Sequence, residues 1–332
     1  YMPIGSNLRD PVITTGGNKL RLEAFSSCCS VYAKIDLLSE ALDGEFLQQG
    51  TTNVDFNTEI ISADSRQFFK EMSIGTAAPT EEELAAAPHH FIHHKSITED
   101  YNVGAFEKEA LKKIEELHQK HDIVIMVGGS GLYVDAVTKG LDYFPDVDPK
   151  IREQLNYTLE KEGLEALQLQ LKNLDIVAYK TIAIDNPHRV IRALEICIGT
   201  NKPYSSFLNK EKNNRPFKTI TIGLTADREI IYNRINKRVD IMVENGLIDE
   251  VKSLIEHKHL NALNTVGYKE IFNALDNTWS LDFAITEIKK NSRRFAKRQL
   301  TWFKRNNDTL WFLSSRNVQK RLLPSESLFI IC

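Results

Sequence analysis

Cysteine is scarce. Cys28, Cys29, Cys197 and Cys332 are the only ones in 332 residues, and no two are spaced as CxxC. This excludes a disulfide framework and a cysteine-based zinc module, and it suits a reducing, cytoplasmic setting. Long hydrophobic runs are missing too. The longest tight ones, Ile123–Val127 and Leu328–Cys332, fall far short of the roughly 18 residues that a membrane span needs. The N-terminus lacks the basic-then-apolar layout of a secretory signal. Repeats and low-complexity tracts are absent as well. Charge of either sign is barely in excess: 42 Lys and Arg against 45 Asp and Glu give −3. What remains is an ordinary globular composition, 42% apolar and 26% charged, at a length that suits about two domains.

The near-neutral average hides one segment. Between Glu287 and Arg305 lie eight basic residues and a single acid, net +7, which leaves −10 for the other 313 residues. Lys289, Arg293 and Lys297 fall four apart, with Lys290, Arg294 and Arg298 in the adjacent row. Ile288, Phe295 and Trp302 are expected on the packed side. A solvated helix face mixes signs, whereas a row of one sign suits a nucleic-acid backbone.

Along the chain, residues 1–55 carry little pattern, although Val31–Gln49 has apolar spacing for one helix. From Asn57 the pattern sharpens. Glu59–Ala63 reads as a strand, Ala105–His121 as a helix with Phe106, Ala110, Ile114 and Leu117 inward, and Ile123–Val127 as a buried strand. The last ends in Gly128-Gly129-Ser130-Gly131, with a helix starting at Leu132; strand, glycine turn and helix are the grammar of an open α/β sheet. Residues 148–215 read as mainly helical, with Asn186 capping a helix that has Pro187 at its first position. Lys218–Leu224 predicts a strand, Asp227–Val243 a helix stopped by Gly246, Trp279–Phe303 a helix, and Leu310–Leu313 an edge strand.

Several constellations could carry chemistry. Asp64 falls where a strand ends, the usual place for ligands in such sheets; it is either a general base, with Ser65, Arg66 and Gln67 beside it, or the cap of a turn. The glycine turn is either an anion site or a tight turn. Arg189 and Arg192 at a helix start oppose its dipole, so they meet a phosphate or, for Arg192, pair with Glu195. Arg234 and Arg238 face a phosphate or pair with Asp240 and Glu244. His89 and His93 would share a helix face, yet no partner completes a metal set.

Taken together, the segments ISADSRQ (61–67), MSIGTAAPT (72–80), PHH (88–90), VGGSGLY (127–133), NPHRVIRALE (186–195), RINKRVDIMVENGLIDEV (234–251), VGYKE (266–270) and AKRQLTWF (296–303) resemble, in order and spacing, the tRNA dimethylallyltransferases, also called tRNA isopentenyltransferases. The likeness spans about residues 56–312. It implies a P-loop-kinase-like parallel α/β core, of a nucleotide- (ATP-) binding type, at 56–147 and 216–313, with a helical insertion at 148–215. It also implies transfer of the dimethylallyl group of dimethylallyl diphosphate to N6 of the adenosine 3′-adjacent to the anticodon in tRNA, by a monomer, with Mg²⁺ assisting. By motif, Asp64 resembles the general base and Ser130 the hydroxyl near the target base, while Arg234 and Arg238 look toward the diphosphate. Asp64, Ser65, Arg66, Gln67, His188, Arg189, Arg192, Gly267, Tyr268, Lys269, Lys297, Arg298, Gln299 and Trp302 would contact the anticodon arm.

One departure is large. The family opens with a GPTxxGKT loop, and here none of the 16 glycines is followed by Lys. Ala78 also replaces a family lysine, and His93 a common aspartate. The first core strand is expected to be lost with the loop, residues 1–55 to come from a frameshift, a wrong gene model or a recombined end, and residues 314–332 to be an unplaced tail. The alternatives to an active enzyme are a degenerate tRNA-binding homologue and, more distantly, a small-molecule phosphotransferase.

Overall fold

The structure, a computed structural model, describes residues 12–15, 19–25, 32–38, 50–53, 59–121, 123–208, 215–313 and 327–331. It forms two compact units, residues 1–138 with 215–332, and residues 139–214.

The N-terminal segment contributes strands β1 (Val12–Thr15), β2 (Lys19–Phe25), β3 (Tyr32–Leu38) and β4 (Gly50–Asn53), in an antiparallel sheet of order β3-β2-β1-β4. The expected Val31–Gln49 helix is therefore corrected over 32–38. Ala33, Ile35 and Leu37 alternate with Lys34 and Asp36, a period of two that favours pairing over a helix. The rest of that expected helix lies outside the described residues.

The functional core is a second, wholly parallel sheet. Its strands are β5 (Ile60–Ser62), β6 (His89–His90), β7 (Val124–Val127), β8 (Lys218–Thr225), β9 (Leu310–Leu313) and β10 (Ser327–Ile331), in the order β6-β5-β7-β10-β8-β9. Leu310–Leu313 is an edge strand, as its sequence suggested. The C-terminal segment is not unplaced: β10 lies between β7 and β8, with Leu328 opposite Val124 and Thr219. The strand between β7 and β8 is therefore supplied from the C-terminal side of the chain, and no strand N-terminal to β5 among the described residues joins this sheet.

Around this sheet run α1 (Glu81–Ala86), α2 (Val103–His118) and α3 (Gly131–Lys139), then, after the helical unit, α8 (Arg228–Glu244), α9 (Leu247–Ser253), α10 (Tyr268–Leu275) and α11 (Leu281–Phe303). α2 buries Phe106, Ala110, Ile114 and Leu117, the residues its periodicity selects, and Asn102 caps it by accepting from two backbone N–H groups. These side chains pack with Phe68, Met72, Met126, Leu247 and Tyr268 in one core.

The helical unit holds α4 (Pro149–Glu162), α5 (Leu164–Leu174), α6 (Ile176–Thr181) and α7 (Pro187–Thr200). Leu155, Leu167, Leu171, Val190 and Leu194 form its own core. Asn186 accepts from the His188 N–H at 3.0 Å, with Pro187 opening α7 as expected. Among the described residues no helix is long and apolar enough to cross a membrane.

Candidate active site

Two turns at the carboxyl ends of adjacent strands build the site. β5 runs on to Ala63, whose N–H donates to the Val127 carbonyl at 2.7 Å, and Asp64 follows. The Asp64 carboxylate accepts from the Arg66 N–H at 3.0 Å, and its carbonyl accepts from the Gln67 N–H at 3.1 Å. The opposite turn begins at Gly128. A Cβ there would lie 2.4 Å from the carbonyl carbon of Ala63, so only glycine lets the two backbones approach this closely. The turns are then stitched by hydroxyls: the Ser65 N–H donates to Ser130 Oγ, and Ser130 Oγ–H donates to Ser65 Oγ, both at 3.0 Å.

Burial dominates the electrostatics of Asp64 and lifts its pKa above the usual carboxylate value. The Arg66 backbone N–H and the positive charges of Arg238 and Arg66 oppose this without cancelling it. The result is a carboxylate with raised proton affinity at the end of a parallel sheet. Such a group accepts a proton from a bound nucleophile more readily than a solvated aspartate does. The turn-cap reading of Asp64 is thus realised, by the same carboxylate whose pKa burial raises. Arg238, on exposed α8, is near enough for its charge to act on Asp64, and Arg234 lies one turn earlier on the same helix.

Other expected contact residues are engaged inside the protein. The Arg66 guanidinium donates to the carbonyls of Asn261 and Ala262 at 3.0 and 2.8 Å. The Gln67 amide donates to those of Thr76 and Ala77 at 3.3 and 3.1 Å. Both side chains, half-buried, thus brace the loops around the site. Tyr268 has no exposed surface, and its hydroxyl donates to Glu250 at 2.6 Å. Gly267 is buried at φ +99° as the cap of α10. Of the Gly267-Tyr268-Lys269 trio only Lys269 presents a side chain to solvent.

Glu250 lies within the 234–251 motif, but nothing in its spacing marks its role. Its carboxylate accepts from the backbone N–H groups of Ser73, Ile74 and Gly75 at 3.0, 2.7 and 2.9 Å, besides the Tyr268 hydroxyl. It thereby fixes the 73–77 loop whose carbonyls hold Gln67. No spacing rule links these groups, because the acceptor is brought in from α9.

α11 closes the site. The Gln299 amide donates to the Gly129 carbonyl at 2.9 Å, and Trp302 Nε1–H donates to Asp135 at 2.9 Å while its ring covers Gly131. The basic row is less free than its sequence implied. Lys289 pairs with Asp240 and Lys290 with Glu287, while Arg293 donates to Asn236 and lies over Tyr232. Lys297 and Arg298 are exposed.

In the helical unit His188 and Arg189 are exposed at the start of α7, and Arg192 pairs with Glu195 at 3.1 Å, which also takes Arg152 at 2.7 Å. The ion-pair reading of Arg192 holds. The His89/His93 helix face does not form. His89 and His90 are in β6, the His93 backbone is left-handed at φ +47°, and among the described residues no trio of His, Cys, Asp or Glu could hold a metal ion. Burial against Phe68 and Tyr101 lowers the His94 pKa to about 4.

A parallel α/β core thus gathers a half-buried carboxylate, paired hydroxyls and an arginine at the carboxyl ends of its strands, where ligands sit in the α/β enzymes of this class. The IPP transferase family model matches residues 67–306, and the chain belongs to that family. It is 62% identical over 262 residues to the tRNA dimethylallyltransferase of Christiangramia forsetii, covering 79% of this chain and 87% of that one. It is 60% identical over 263 residues to the enzyme of the same name from Flavobacterium johnsoniae, with 77% and 85% covered. Among solved structures, the tRNA isopentenylpyrophosphate transferase of Bacillus halodurans matches at TM-score 0.56 and 39% identity, over 78% of this chain and 82% of that one. A eukaryotic dimethylallyltransferase acting on tRNA matches at TM-score 0.65 and 27% identity, over 78% and 68%.

Proposed function

We propose that this chain transfers the dimethylallyl group of dimethylallyl diphosphate to N6 of the adenosine 3′-adjacent to the anticodon in tRNA. The observation that carries the reading is Asp64, a half-buried carboxylate of raised proton affinity in a chain this similar to enzymes named for that transfer. The adenine leaves its stack to reach the site. Its N6 forms a bond to C1 of the dimethylallyl group as the bond from C1 to the diphosphate oxygen breaks, and the N6 proton passes to Asp64. Arg234 and Arg238 offset the charge developing on the departing diphosphate, a role that matters more because the sequence has no glycine followed by lysine. Ser65 and Ser130 hold the two turns in register about the reacting nitrogen. Lys269, Lys297 and Arg298, with His188 and Arg189, are the exposed cations and polar groups offered to the anticodon arm.

Mg²⁺ is expected in this chemistry, yet one aspartate beside two serine hydroxyls does not make a resident magnesium site.

The test is transfer of labelled dimethylallyl from its diphosphate to a tRNA transcript. Asp64→Asn is expected to bind the transcript and to lose turnover. Binding without turnover by the unsubstituted chain would make it a tRNA-binding homologue instead.

A further inference from the structure

The apolar seam of α11 leaves the core before the helix ends. Ala284, Ile288, Phe295 and Trp302 fall on one side at about 100° per residue. Ala284 and Ile288 are 0% and 2% exposed, whereas Phe295 is 44% exposed. Phe295 is thus not packed as its spacing predicts. The Arg298 guanidinium lies 5.5 Å from its ring centre, and just past the end of the helix Arg305 lies 3.9 Å over Trp302. Phe295, Arg298, Trp302 and Arg305 follow one another at spacings of 3, 4 and 3 residues, a continuous stripe of alternating ring and guanidinium planes. The stripe adjoins the site, because Gln299 and Trp302 are bonded to Gly129 and Asp135.

We infer that this stripe is a stacking platform for unpaired nucleotides of the RNA next to the one held at Asp64. The inference rests on the RNA reading above and adds base stacking on Phe295 and Arg305 to it. A protein partner would need an apolar knob for Phe295 and acids for the arginines. An unpaired nucleotide meets both demands at once, with a flat base for the ring and guanidinium planes and a phosphate for their charge. No acid occurs from Ile288 to Arg305, so nothing on this stretch of the helix repels that phosphate. A duplex, whose bases are already stacked, could use only the charge.

The test uses the full chain and a fluorescent 12-nucleotide RNA of mixed sequence, single-stranded or annealed to its complement, at several salt concentrations. Phe295→Ala is expected to weaken single-strand binding about five- to tenfold, the low end for one stacked base on a half-exposed ring, with less than twofold change for the duplex. The slope of log affinity on log salt should not move, since no charge is removed, and Phe295→Tyr should restore binding. Equal losses on both RNAs, or no loss, overturns the platform alone. Failure of the unsubstituted chain to bind any RNA, a tRNA transcript included, overturns the functional reading with it.

Discussion

Replacing Glu250 by glutamine should loosen the active site from a distance. The carboxylate accepts four hydrogen bonds, from the N–H groups of Ser73, Ile74 and Gly75 and from the Tyr268 hydroxyl. A glutamine keeps one oxygen and turns an NH₂ group toward groups that are themselves donors. At least one backbone N–H loses its acceptor, at about 1–3 kcal/mol, and the remaining bonds lose the charge that roughly doubles their strength. The sum is about 3–5 kcal/mol. Tyr268→Phe removes one bond to the same carboxylate and should cost about 1.5–2 kcal/mol. Because the two side chains share that bond, the double variant should be less destabilised than the sum of the singles by about 1 kcal/mol. Urea unfolding followed by circular dichroism measures all three. A loss below about 1 kcal/mol for Glu250→Gln, or strict additivity, would refute the argument that one carboxylate holds the loop. Hydrogen exchange at residues 73–75 offers a local check, since these amides should exchange faster in the variant.

Other expectations follow from the same geometry. Burial raises the Asp64 pKa, so the folded state binds more protons than the unfolded one between the ordinary value and the raised one, and stability falls as pH rises through that window. Asp64→Asn should therefore raise the melting temperature at pH 8, with the gain vanishing near pH 3. Gly128→Ala places a Cβ 2.4 Å from the backbone of Ala63, where no side chain can move aside, and should cost about 3 kcal/mol in urea unfolding together with transfer activity. Neutralising Lys297 and Arg298 as glutamines should lower the salt slope of tRNA binding by about two; an unchanged slope removes these two from the interface. Truncation after Leu313 leaves β7 and β8 without the strand between them and should abolish cooperative thermal unfolding.

Periodicity and turn chemistry made much of the local structure legible. α2 buries the four residues its spacing selected, Asn186 caps α7, and the glycine turn after β7 leads into a helix. These depend on neighbours within a turn or two of the chain. Asp64 was legible as a candidate because the end of a parallel strand is a special place. Its raised proton affinity was not, since that depends on what covers it. The helix expected over 32–38 failed because its apolar residues fit two periods, and partner strands decided between them.

The sequence by itself determined the core elements, the basic helix and the order of motifs that marks the family, all properties of short segments or of their succession. Tertiary structure alone decided which polar groups are free. Arg66, Gln67 and Tyr268 each make hydrogen bonds inside the protein, the partners of Glu250 lie far from it along the chain, and Phe295 read as packed and is exposed. It also put the C-terminal strand in the middle of the sheet. The physical reason is the same in each case. A hydrogen bond or an apolar contact is satisfied by whatever group the fold brings within a few ångströms, and distance along the chain does not record which group that is.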